Sequence, residues 1–203
     1  MKLYSDPMGA DSHRVRIVIA EKSVESTVVD LTAGGGLPAE LLAVNPYRQI
    51  PMMCDRDVMI YPGRIILEYL DERFPHPPLL PPDPIARARM RLALYRIERD
   101  WYSLIPDLEN RARGKTDKCR AQLKDSLAGS REVFAEKPFF LSDELTLVDI
   151  SLAPILWRLE SWEIPLTSLP APVVDYAERL FRRPAFRASL SAPERRIRPL
   201  PLP

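Results

Sequence analysis

Hydrophobic and polar positions in the first eighty residues switch repeatedly between a two-residue and a helical period. Lys2-Leu3-Tyr4-Ser5 reads as a short strand, stopped by Asp6-Pro7. From Ser12 to Lys22 the apolar residues Val15, Val18 and Ile19 fall at helical spacing. Thr27 to Leu31 is β-branched and strand-like, and Pro38 to Val44 is a helix ended by Asn45-Pro46. Pro51–Asp55 and Val58–Tyr61 then flank a polar turn, Asp55-Arg56-Asp57, before a helix over Arg64–Arg73. The order βαβαββα predicts an α/β layer built on a mixed sheet.

That pattern ends in YLDERFPHPPLLPPDP, Tyr69 to Pro84, which carries six prolines. Proline fixes φ and removes a backbone donor, so neither a helix nor a central strand continues through this stretch. It predicts a stiff, extended connector and a domain boundary. Domains are therefore expected at 1–76 and 85–203, joined by a linker over 77–84. Beyond Pro84 no strand signal survives. Met90, Leu94, Ile97, Trp101, Leu104 and Leu108 trace a long bundle helix, which Pro106 should kink near its end. Leu123, Leu127 and Phe134 trace a second helix. Thr146 and Asp149 form a capping box ahead of an almost wholly apolar helix, the expected centre of this all-helical domain. Further helices are expected at Val173–Phe181 and Ala185–Leu190. The tail from Pro193 alternates Arg and Pro and is expected to be poorly ordered.

Composition narrows the function classes. The 203 residues carry a formal net charge of +1. Up to Leu80 there are 8 Lys/Arg against 11 Asp/Glu, too small an imbalance to define a polyanion-binding domain. Direct DNA binding is not expected. Two cysteines, Cys54 and Cys119, give no disulfide framework, and with no signal peptide or long apolar span a cytoplasmic, non-membrane setting is expected. Cys54 reads as a small buried hydrophobe, and Trp101, Trp157 and Trp162 as core or interdomain residues. No metal-binding spacing appears. Gly34-Gly35-Gly36 lacks the lysine of a phosphate loop and reads as a surface turn.

A thioredoxin-like half, a proline linker and an all-helical half together resemble the cytosolic glutathione transferase fold. Its marks are Ser12-x-Arg14-Val15-Arg16, Asn45-Pro46 ahead of Ile50-Pro51, and the capping box at Thr146. HRVRIVIAEK, EYLDERFPHPPLLP, RIERDWYSL and FFLSDELTLVDISLAPILWRL narrow the resemblance to the stringent starvation protein A family. That resemblance implies an RNA polymerase-associated regulator of the starvation response, homodimeric, with the transferase scaffold but no catalytic residue and no cofactor. The alternative is a glutathione-dependent transferase or peroxidase-like enzyme, for which glutathione would be the cofactor.

The vestige of a glutathione site would comprise Ser5, Ser12, Gln49, Ile50, Pro51, Pro62 and Gly63. The proline equivalent to Pro51 is cis in the transferases, and its neighbouring backbone pairs with the cysteinyl part of glutathione. The residue that stabilises the glutathione thiolate should fall near Gly9-Ala10, where there is neither hydroxyl nor thiol. Tyr4 and Ser5 lie earlier, within or just beyond the strand, and Ser12 lies later, where it reads as a helix cap; Ser5 or Ser12 is the candidate substitute. Transferases place an acidic residue and a serine where this chain has Pro62-Gly63. Two lost bonds to charged groups, about 1.5–3 kcal/mol each, imply at least a hundredfold weaker binding. Pro75, His76, Pro77, Pro78 and Leu79 form the expected docking patch for a protein partner, because a preformed proline-rich backbone costs little entropy to order. Arg87 and Arg91 lie four residues apart on the long helix. They read as part of a solvated face, with contact to an acidic partner or an anionic effector as the alternative.

Overall fold

A computed structural model describes residues 1–31, 38–109 and 115–200. They divide into two compact units. The first is Met1–Pro78 together with Pro184–Arg196; the second is Leu79–Arg183 together with the stretch from Ile197 on. The glycine triplet at 34–36 lies outside the described residues.

The first unit is a four-stranded sheet, β1 Lys2–Ser5, β2 Thr27–Asp30, β3 Met52–Asp55 and β4 Val58–Ile60, in the order β2-β1-β3-β4. β1 runs parallel to β2, as the crossover through α1 Ala10–Glu21 requires, whereas β3 and β4 pair antiparallel across the Asp55-Arg56-Asp57 turn. Leu3 stands opposite Val28 on one side and Met53 on the other. Leu3, Met53, Val15 and Val18 are fully buried, as are Ile66 and Leu70 of α3 Gly63–Arg73. The helix foreseen over 38–44 is only one turn, α2 Ala39–Leu42. Asn45 succeeds it, fully buried and bonded to Gln49 in both directions: its Nδ2 donates to the Gln49 carbonyl at 2.8 Å, and the Gln49 N–H donates to its Oδ1 at 3.1 Å. That clamp fixes the loop leading into Ile50–Pro51, whose peptide bond is cis as the family resemblance implied.

The second unit is helical. It holds α4 Pro84–Asp100, α5 Ile105–Glu109, α6 Lys115–Gly129, α7 Arg131–Glu136, α8 Leu147–Arg158 and α9 Ala171–Arg182. Asp83 caps α4 by accepting from the Ala86 N–H at 2.7 Å, with Pro84 at the first helical position, where its missing donor costs nothing. Pro106 does not kink the long helix. That helix ends at Asp100, and Pro106 falls in the first turn of the separate α5. The second expected helix is likewise two, α6 and α7, divided at Ser130. Every residue of α8 is buried. Its capping box converges on Asp149, which accepts from the N–H groups of Phe140 and Thr146 (2.7 Å each), Thr146 Oγ1 (2.9 Å) and the Tyr176 hydroxyl (2.6 Å). Burial outweighs these donors and lifts the Asp149 pKa above the ordinary carboxylate value. Trp101, Trp157 and Trp162 are core residues of this unit. Cys119 is buried, whereas Cys54 is only half-buried.

The chain end departs from expectation. Instead of a loose tail at the end of the helical domain, α10 Pro184–Ser189 and a 3-10 turn over Glu194–Arg196 belong to the first unit. The physical reason is Arg16 on α1, 8% exposed. A guanidinium so placed needs a carboxylate, and Glu194, fully buried, supplies it through two bonds of 2.6 and 2.7 Å. His13 Nδ1 lies 3.5 Å from the same carboxylate and His13 Nε2 lies 3.0 Å from Ser189 Oγ.

Candidate functional site

The first unit brings together three of the chain's expected site segments: the start of α1, the turn at cis Pro51 and the start of α3. Gly9 caps α1 without a side chain and Ala10 is buried, so the position where a thiolate-stabilising group would stand holds only aliphatic surface. Neither nearby serine makes up for it. Ser5 is 1% exposed; its Oγ accepts from Arg16 Nη1 at 2.6 Å and sits 3.4 Å from the Asp6 carbonyl. Ser12, also 1% exposed, is not a cap. It lies inside α1, and its Oγ accepts the Asp6 N–H at 3.0 Å, tying down the loop after β1. Both hydroxyls are consumed by the fold. Gln49 is exposed, Ile50 half-buried and Pro51 buried.

At the start of α3, Pro62 precedes the buried Gly63. A β-carbon on Gly63 would stand 2.5 Å from Asp11 Oδ1, so the carboxylate of α1 occupies that space. Asp11 pairs with Arg14 one turn on, whose side chain is 4% exposed. The sequence signal for this pair was present in its i,i+3 spacing. Its placement against Gly63 had none.

The proline segment divides in the structure. Pro75, His76, Pro77 and Pro78 are exposed, but Leu79 is 2% exposed and its carbonyl accepts the Leu147 N–H at 2.9 Å. Leu79 is therefore core, and the exposed patch ends at Pro78. Lys22 steadies it. The Lys22 ammonium is buried, donates to Asp71 Oδ1 at 2.6 Å and also to the Pro77 carbonyl. Arg87 donates to the Pro81 carbonyl at 3.0 Å, a local task that the solvated-face reading did not foresee. Among the described residues no group of three or more His, Cys, Asp or Glu side chains is placed to hold a metal ion, and no helix is long and apolar enough to cross a membrane.

The sequence and the fold have known counterparts. The family models for the glutathione S-transferase N-terminal and C-terminal domains match residues 1–72 and 85–188. The stringent starvation protein A homolog of Coxiella burnetii is 42% identical over 200 residues, covering 98% of this chain and 95% of that protein. The chain belongs to the stringent starvation protein A family. Four further homologues of that name lie at 38 to 41% identity. The match to a maleylacetoacetate isomerase of Pseudomonas aeruginosa is more distant, 30% over 92% of this chain and 94% of the enzyme. Among solved structures, a ternary complex of BphK, a bacterial GST, superposes with a TM-score of 0.84 at 23% identity. It covers 94% of this chain and 98% of that one, a likeness of fold. The scaffold of this stringent starvation protein A relative is thus that of a transferase, while Ser5 and Ser12 are already engaged within it.

Proposed function

We propose that this protein is a non-enzymatic, RNA polymerase-associated regulator of the starvation response, working in the cytoplasm as a homodimer. The observation that carries the non-enzymatic part is the fate of Ser5 and Ser12. A group that stabilises a substrate thiolate must face the ligand, and both are buried and bonded within the fold. The polymerase partner is supported by the names of the homologues and by what their family implies. The docking element is the exposed run Pro75, His76, Pro77 and Pro78, held by Lys22 from beneath. Pre-ordered proline backbone binds partners with little entropic loss.

The test is retention of purified RNA polymerase holoenzyme on the immobilised protein, with His76→Ala alongside. Retention that His76→Ala weakens supports the proposal. No retention, or retention indifferent to changes at His76 and its proline neighbours, overturns it. The second reading, a glutathione-dependent transferase or peroxidase-like enzyme, draws on the exposed Gln49 and on the isomerase match. Calorimetry with glutathione separates the two. Dissociation constants from micromolar to low millimolar favour the enzyme; the regulator should give no measurable heat in that range.

A further inference from the structure

The space beside Gly63 is filled in a specific way. Relative to the position of a β-carbon there, Asp11 Oδ1, Cγ and Oδ2 stand at 2.5, 2.8 and 2.9 Å. A carboxylate belonging to the first turn of α1 is therefore seated against the first residue of α3, an eleven-residue helix. First-turn N–H groups carry partial positive charge and attract anions. That carboxylate sits in the first turn of its own helix, beside the start of the other, and is paired to Arg14.

We propose that Asp11 is a built-in anion that excludes external carboxylates from the start of α3, and that Gly63 is glycine because Asp11 needs the room. This rests on the reading that glutathione is not a substrate, and it names the residue that keeps such a ligand out. An incoming carboxylate would meet a like charge at contact distance, a guanidinium already engaged by Asp11, and no hydroxyl on residue 63. The two positions are matched. A side chain on residue 63 displaces the carboxylate from its seat and from Arg14, so each change is tolerated better when the other accompanies it.

Four proteins test this: wild type, Asp11→Ser, Gly63→Ser and the double variant. In urea denaturation, Gly63→Ser should reduce the folding equilibrium constant about fivefold more in the wild-type background than beside Asp11→Ser. With glutathione as the calorimetric probe, the double variant should give measurable binding in the millimolar range where wild type gives none, a gain of about tenfold or more. Asp11→Ala, which removes both the charge and the colliding atoms, replaces Asp11→Ser if that variant does not fold. Additive stabilities, or equal glutathione affinity in folded wild type and double variant, overturn the role of Asp11 and leave the polymerase assay untouched. Micromolar glutathione binding by wild type overturns both readings at once.

Discussion

Glu194→Ala puts the chain end to its most direct test. Glu194 receives both Arg16 bonds at 2.6 and 2.7 Å and the Ser191 N–H at 2.8 Å, with no exposure of its own. Removing it strands a guanidinium that is 8% exposed, and breaking a buried pair in this way costs about 3–5 kcal/mol. Arg16 keeps three acceptors, Ser5 Oγ, the Asp6 carbonyl and the Ser189 carbonyl. That places the expected loss at the lower end, about 3 kcal/mol. Such a loss is a large fraction of the about 5–15 kcal/mol that holds a typical protein folded. Because the chain has two units and every tryptophan lies in the second, a bulk fluorescence transition would report the wrong one. Native-state hydrogen exchange of the α1 amides is the proper assay, with faster exchange expected at Arg16–Ile19. Replacing both partners by apolar residues, Arg16→Met with Glu194→Leu, should restore most of the protection. Exchange in Glu194→Ala within about 0.5 kcal/mol of wild type, the scatter of an ordinary surface change, would refute the reasoning.

Asp149→Asn should destabilise the helical unit by about 2–4 kcal/mol in urea denaturation, because an amide cannot accept from all four donors. The raised Asp149 pKa means that the folded state holds the proton more tightly than the unfolded chain. Its contribution is thus fully present below the ordinary value of 3.8 and is lost as pH rises through the raised one; Asp149→Asn should remove that slope from a stability–pH series. Leu79→Ala should cost about 2–5 kcal/mol in the same assay, while His76→Ala stays within about 0.5 kcal/mol, separating core from docking surface along one linker. Burial pushes the Cys54 thiol up, so its alkylation by iodoacetamide near neutral pH should run slower than that of an unstructured cysteine peptide; equal rates would contradict the half-buried placement.

What the sequence made legible was local. The Thr146–Asp149 box, the Pro84 start of α4 and the alternation around Asp55-Arg56-Asp57 each encode an element within a few residues, and the structure has all three. Pro106 misled because a proline is compatible with a kink or with a fresh helical first turn, and the structure has the second. Ser130 has the same ambiguity as a mid-helix residue or a cap. In the candidate site, the lack of a hydroxyl at Gly9-Ala10 was readable once the family resemblance had pointed to that position. The engagement of Ser5 was not, since it depends on Arg16, whose own partner Glu194 lies 178 residues away. An Arg-Pro-rich tail looks solvated until the one acid within it finds a buried cation.

The return of residues 184–196 to the first unit also sets a timetable for biogenesis. Domains are generally completed in the order in which the ribosome emits them, yet here the sheet emerges early and its closing carboxylate follows 178 residues after the guanidinium it pairs with. A nascent chain halted before codon 194 should expose an Arg16 without its carboxylate to proteases and chaperones, however complete its strands, so translation through Glu194 acts as the checkpoint for this unit.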